Sequence, residues 1–438
     1  MKHPALGDEV TREALISRYR AFRDRTRLLF EIPSAESYYS RPIPLRNPIV
    51  FYEGHLPAFM VNTLVKLALG GPGIDEAFEV LFARGIDPDS VTDVHDPSAG
   101  WPSRSEVIAY GAEADRRIID ILRNAPLERE EVPQLRGGEA AFTILEHELM
   151  HQETLLYMFH NLPYDQKRPV VEDRSPRLSV DDVEDRSPRL SVESSSTAEM
   201  VRIEGGAATL GACRSEIGFG WDNEFPAMKL AVDAFEISRY PVTNGEYLEF
   251  MEATGAAAPH FWVEEEGAWF WRGMFEQIPL PDDWPVYVTL GEAEAFAQWK
   301  GMRIPSEAEY HRAAFGTPDG SERSYPWGDQ LPDSSHGVFN FERWDPGPVG
   351  ARPRGASAWG VDDLVGNGWE WTSTIFAGFP GFRPMASYPQ YSIDFFDGQH
   401  FVLKGASPAT AGELIRRSFR NWFRPDYPYL YAKFRLAR

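Results

Sequence analysis

The ten residues VEDRSPRLSV occur at positions 171–180 and again, unchanged, at 183–192, and run on into Glu193-Ser194-Ser195-Ser196. Two copies are too few for a solenoid, and a charged, serine-rich stretch cannot bury enough apolar surface to act as a core element. It reads as a linker that divides the chain into two domains of different texture. From about Thr11 to Pro163 the apolar residues recur at helical spacing. Helices are predicted from Thr11-Arg12-Glu13-Ala14-Leu15-Ile16 onward, from Phe59 to Leu69, from Ser105 to Arg123 and from Gly138 to Leu162. Four such segments suit a bundle, a fold that can hold a metal between facing helices. From about Met200 the chain turns to Gly, Trp and Pro punctuation, with short β-prone runs at Val201–Ile203 and Phe401–Leu403. Helices are predicted there at Gly291 to Lys300 and Glu307 to Ala314. The expected fold class is α+β: a helical bundle over 1–168, a linker over 169–199, and a mixed α/β, loop-rich domain over 200–438.

Composition narrows the partners. A formal net charge of −22 argues against a nucleic-acid backbone as ligand. Cys213 is the only cysteine, so an intrachain disulfide is impossible and a reducing, cytoplasmic setting is expected. No apolar run approaches the ~20 residues of a membrane span, so no membrane partner is expected.

His147-Glu148-Leu149-Met150-His151 places two imidazoles one turn apart on a helix, the spacing of paired metal ligands. Taken literally the string is HExxH, in which zinc proteases use the Glu as general base. The longer protease signature has Gly at 154 and His at 157, where this chain has Thr154 and Tyr157. A third ligand has to come from elsewhere. His55, within Tyr52-Glu53-Gly54-His55-Leu56-Pro57 at the start of an apolar helix, is the candidate; the alternative is a capping His. His95, His260, His311, His336 and His400 read as structural residues in loops or surface helices.

Three motifs recur in order through the second half: Arg303-Ile304-Pro305-Ser306-Glu307-Ala308-Glu309-Tyr310, Tyr325-Pro326-Trp327-Gly328-Asp329 and Gly366-Asn367-Gly368-Trp369-Glu370-Trp371-Thr372. They resemble the series of formylglycine-generating-enzyme-like domains, which have a C-type-lectin-like fold. Gly54-His55 and His147/His151 with Gln152-Glu153 resemble the DinB-like four-helix domain of ergothioneine-pathway sulfoxide synthases. The tail from Ser418 through Arg420-Asn421-Trp422 to Arg438 is similar to that family too.

The resemblance implies a non-haem iron(II) enzyme. Such an enzyme uses O₂ to join a thiol sulfur to an imidazole carbon of hercynine (trimethylhistidine), leaving a sulfoxide. It implies His55, His147 and His151 as iron ligands, which would leave half of an octahedral ion open, and Glu148 as a bystander. Trp422 is expected to offer a π face to the quaternary ammonium, and Asn421 to hydrogen-bond substrate. Arg420 adjoins them in the same motif. A phenol is expected beside the metal as proton donor, with Tyr388 the first candidate and Tyr391 the second. Departures from the family concern the donor. Phe423 stands where γ-glutamylcysteine users tend to carry Asp, and Phe82-Ala83-Arg84-Gly85-Ile86-Asp87-Pro88 where they carry a Tyr pair. Met150 replaces a Gln, and Gly405-Ala406-Ser407-Pro408 replaces Gly-Gly-Ser-Trp. A smaller thiol, most simply cysteine, is implied; a selenium donor such as a selenosugar, as in selenoneine synthases, is the alternative. A non-catalytic metal- or ligand-binding protein is the reading from another class. Formylglycine formation is disfavoured because its copper site needs paired cysteines.

Overall fold

The computed structural model describes residues 9–83, 100–170 and 199–438. The duplicated decapeptide, His95 and the 84–88 part of the first-domain stretch lie outside them. The chain divides into two compact units.

The first unit is built on four long helices: α1 (Glu9–Leu29), α2 (Ile49–Met60), α4 (Arg104–Asn124) and α5 (Glu139–His160), with the short α3 (Glu76–Leu81) beside them. In cross-section α1 packs on α4 and α5, and α2 packs on the same two, which closes a four-helix bundle. Helix α2 starts ten residues earlier than the sequence predicts, so His55 lies inside it rather than at its start. Almost every side chain of α2 is buried, so there is no polar face to mark its first turns. Pro57 sits within the helix, and the chain continues from Met60 into a π-helical run, Val61–Ala68. Such wider turns are frequently found at functional sites. Helix α4 begins with a capping box from Ser103 and Glu106. Two segments from far down the chain, Cys213–Phe225 and Phe382–Asp394, cluster with these helices.

The second unit holds three small antiparallel arrangements: β1 (Met200–Ile203) with β4 (Phe235–Ser238), β2 (Gly206–Leu210) with β3 (Met228–Val232), and β5 (Trp262–Glu265), β6 (Ala268–Arg272) and β7 (Gln277–Pro279) in order. A fourth sheet runs β10 (Asn421–Phe423), β9 (Phe401–Ala406), β8 (Gly368–Ile375), β11 (Ala432–Lys433), with only the β8–β11 pairing parallel. Helices α6 (Asn244–Thr254), α7 (Leu290–Trp299) and α8 (Glu307–Phe315) each start from a capping box, closed by Thr243/Glu246, Thr289/Glu292 and Ser306/Glu309. The sequence reading named the last two and not α6.

The motifs that carried the resemblance prove to be structural. Ser306 caps α8, Arg303 pairs with Glu309 at 2.6 Å, and Tyr310 hydrogen-bonds the Leu364 carbonyl from within a core that includes Ile203, Phe235, Ile237 and Phe315. Glu370 on β8 is fully buried between Lys433 (2.9 Å) and Arg435. Asn367, held at φ 62°, bonds Gly347 through both its N–H and its carbonyl. Such fully satisfied polar clusters fix a loop-rich fold in one arrangement.

Candidate metal centre

Three imidazoles converge inside the bundle. His55 comes from α2 and His147 and His151 from successive turns of α5, and one ligand nitrogen from each lies within 4.8 Å of the other two. His55 and His147 are buried, and His151 is nearly so. The ring centroids are 5.1 Å (55–147), 5.0 Å (55–151) and 4.4 Å (147–151) apart. Among the described residues this is the one group of three or more such side chains that could hold a metal ion.

The surroundings suit a cation-binding site. His55 Nδ1 is 2.8 Å from the Phe82 carbonyl, which sets the ring's orientation and leaves Nε2 as the ligating atom. Gly54 makes this possible: a Cβ there would lie 2.5 Å from the Phe82 ring. Nδ1 of His147 and of His151 is buried with no hydrogen-bond partner. Burial lowers the His55 pKa to about 4 against the opposing pull of the Phe82 carbonyl. Burial first, then the neighbouring imidazoles, also pushes His147 and His151 well down, and Arg46 adds to the effect at His151. All three rings are therefore neutral at pH 7, the form that donates a lone pair to a metal. Imidazoles without a carboxylate suit Fe, Zn, Cu or Ni rather than Mg or Ca.

Two phenylalanines, which the sequence reading did not single out, fix the rings. Phe59 lies face to face with His147, centroids 3.5 Å apart and planes 8° from parallel. Phe51 stacks on His55 at 5.2 Å. Phe51, His55 and Phe59 recur every four residues on α2, a spacing that was available as a signal.

Glu148 is turned to another face of α5. It is fully buried, accepts from Arg23 at 2.9 and 3.1 Å and bonds the Thr26 hydroxyl on α1. Arg23 also pairs with Asp115 of α4 at 2.8 Å, and Tyr19 donates to the same carboxylate at 2.6 Å. Gln152, one turn on, donates to the Phe22 carbonyl at 2.9 Å. Helix α5 thus sends its His pair toward α2 and its Glu148/Gln152 pair toward α1. The general base of the literal HExxH pattern is tied into a structural ion network.

The segment Phe382–Asp394 brings both candidate tyrosines to helix α5. The Tyr388 ring is 5.1 Å from Phe59 and 6.3 Å from His147 between centroids. Tyr391, in a helical turn over Gln390–Ile393, stacks on Trp221 at 3.9 Å. Its hydroxyl donates to Met150 Sδ at 3.2 Å. Tyr388 thus lies beside His147, while Tyr391 contacts Met150 of the same helix.

The remaining expected site residues belong to the second unit. Arg420 is buried, bidentate to Glu307 at 2.9 and 3.1 Å, with Nη1 on the Ala377 carbonyl and the guanidinium over Phe376 and Phe379. Those contacts hold the fold. Asn421, Trp422 and Phe423 form β10. Asn421 Oδ1 accepts from the Trp422 N–H at 2.9 Å, Trp422 stacks on Phe376 at 4.3 Å, and Phe423 stacks on Tyr427 at 5.3 Å. All three are half-buried. Of the histidines read as surface or loop residues, His311 is instead fully buried on α8 with Nε2 3.3 Å from Glu322.

Fold and site together define the class: a DinB-type helical bundle with a buried three-histidine centre, joined to a formylglycine-generating-enzyme-like domain. The family described as "Sulfatase-modifying factor enzyme 1-like domain" matches residues 187–438, and the DinB superfamily matches residues 18–155. The hercynine oxygenase of Mycolicibacterium smegmatis is 31% identical over 98% of this chain and 99% of its own length. That of Mycobacterium tuberculosis is 32% identical over 90% and 91%. Ergothioneine biosynthesis protein 1 of Schizosaccharomyces pombe is 29% identical over 92% of this chain and 53% of its own. The chain belongs to the hercynine oxygenase family. No helix among the described residues is long and apolar enough to cross a membrane.

Proposed function

We propose that this chain is an iron(II)-dependent sulfoxide synthase of ergothioneine biosynthesis, an oxidoreductase that joins the imidazole of hercynine to a small thiol donor, most simply cysteine. In the balanced reaction the imidazole C–H and the thiol S–H are lost. One oxygen atom of O₂ ends on sulfur and the other in water. The reading is carried by the buried cluster of three neutral imidazoles on α2 and α5, with no carboxylate among them. His55, His147 and His151 would hold the ion, which when bound supplies open positions for O₂ and the thiolate and accepts electron density.

The protein's own groups do the rest. Phe51 and Phe59 keep the imidazoles in place and water away from them. Tyr388, whose ring centroid is 6.3 Å from that of His147, would hand over a proton from its phenol. Tyr391 shares its proton with the Met150 thioether and is better suited to shaping the wall than to proton transfer. Trp422, with one face covered by Phe376, is the candidate for the trimethylammonium.

Selenium is the second reading: Phe423, Met150 and Pro408, which stand where relatives carry Asp, Gln and Trp, leave room for a donor other than cysteine. The test is mass spectrometry of aerobic reactions with iron(II), hercynine and competing cysteine, γ-glutamylcysteine and selenol donors. A hercynine–cysteine sulfoxide is expected. An adduct formed only with selenium would move the assignment to the selenium pathway, and no adduct with any donor would remove it.

A further inference from the structure

We infer that Glu139 and Asp222 are positioning residues, a two-point clamp that fixes the tyrosine-bearing segment Phe382–Asp394 against the His cluster. The inference rests on the proposed reading for its effect on turnover and on geometry alone for the clamp itself.

Glu139, Thr143, His147 and His151 follow one another at intervals of four along α5, a single row on its surface. The segment lies along that row in register. Ser387 meets its start: both its N–H (2.8 Å) and its hydroxyl (2.9 Å) donate to Glu139 Oε1, and the hydroxyl is 2.9 Å from that of Thr143. Tyr388 comes next, opposite His147, and Tyr391 reaches Met150, three residues further along α5. At the far end Ser392 donates to Asp222 and accepts from Asn223 Nδ2 at 3.0 Å, while the Met385 N–H points to Asp222 at 3.4 Å. Ser387, Ser392, Thr143, Asp222 and Asn223 are all at most 3% exposed, so these bonds form where water does not compete. Glu139 is the first residue of α5, where the helix dipole favours its negative charge. Tyr388 is thereby tethered on both sides within a few residues. A buried carboxylate is costly to retain, and here Asp222, together with the half-buried Glu139, is used on the one loop that carries the two candidate phenols.

The test uses full-length protein with 3-fluorotyrosine at position 388 and the variants Glu139→Ala, Glu139→Gln, Asp222→Ala and Asp222→Asn. Ser387→Ala and Ser392→Ala serve as milder changes in case a carboxylate variant fails to fold. In wild-type protein, without metal, the ¹⁹F resonance is expected to sit away from the free amino acid because of the Phe59 and His147 rings. The Ala variants should move it toward the free value and lower kcat on the order of tenfold to a hundredfold, as for a displaced catalytic group. KM and iron(II) affinity should stay within about twofold, because His55, His147 and His151 themselves are untouched. Gln and Asn still accept from the serines and should restore both resonance and kcat. An unmoved resonance in the Ala variants overturns the clamp, and a moved resonance with unchanged kcat overturns the positioning role. If wild-type protein makes no hercynine adduct while the resonance responds as described, the clamp stands and the reaction assignment fails.

Discussion

Gly54 illustrates how a residue without a side chain can decide a metal site. Its missing Cβ leaves room for the Phe82 ring, and that packing puts the Phe82 carbonyl on His55 Nδ1. Gly54→Ala is expected to displace Phe82, destabilise the fold by about 1–3 kcal/mol and weaken iron(II) binding on the order of tenfold or more, as loss of a ligand-orienting bond does. Isothermal titration under argon measures both this and His55→Ala, which is expected to abolish binding; unchanged affinity in His55→Ala would remove His55 from the ligand set. The three histidines were legible in the sequence, two from their spacing and one from its neighbours. That Glu148 stands aside was implied by the resemblance, but its partner was not legible, because Arg23 lies far away on another helix. The committed guanidinium of Arg420 was equally hidden, since its partner Glu307 sits 113 positions earlier.

At the scale of single elements, the segment carrying the tyrosines is held by a titrating group, Asp222 of the segment Cys213–Phe225. Burial, reinforced by nearby Glu139, raises the Asp222 carboxyl to about 6 despite hydrogen bonds from Ser392 and the Met385 and Asn223 amides. The native state therefore binds a proton that the unfolded chain releases near the ordinary value of about 3.9. That contribution to stability is complete below about pH 4 and is lost as pH rises through about 6. Asp222→Asn cannot titrate. Its stability relative to wild type is thus expected to rise across this interval, by roughly 2–3 kcal/mol at about 1.4 kcal/mol per unit, in urea denaturation at pH 4, 5, 6 and 7. A constant difference would show that Asp222 does not titrate there. Helices α7 and α8 were read from the sequence and α6 was not, although all three start from a capping box. The first turns of α2 were not read either, since a helix buried on every side has no amphipathic period.

On the scale of the whole molecule, the conspicuous motifs and the three clustered histidines lie in different units. Glu370, from the Gly-Asn-Gly-Trp-Glu-Trp-Thr string, is fully buried with Lys433 and Arg435. Glu370→Gln leaves two buried cations with a neutral partner and is expected to cost about 3–5 kcal/mol, seen as faster amide exchange in β8 and β11. Exchange equal to wild type would contradict it. The motif strings thus identified the family by recording how a loop-rich domain is held together, whereas the candidate site residues His55, Tyr388 and Tyr391 sit among less distinctive residues. A further outcome follows from the span of the chain: Thr143 and Ser387, which meet beside the histidines, are 244 residues apart. At a synthesis rate of about 5–20 residues per second, the imidazoles leave the ribosome roughly ten to fifty seconds before the tyrosines that complete their surroundings. On the proposed reading, the three imidazoles are exposed to cellular metal ions during that interval, before Tyr388 and Tyr391 are in place beside them.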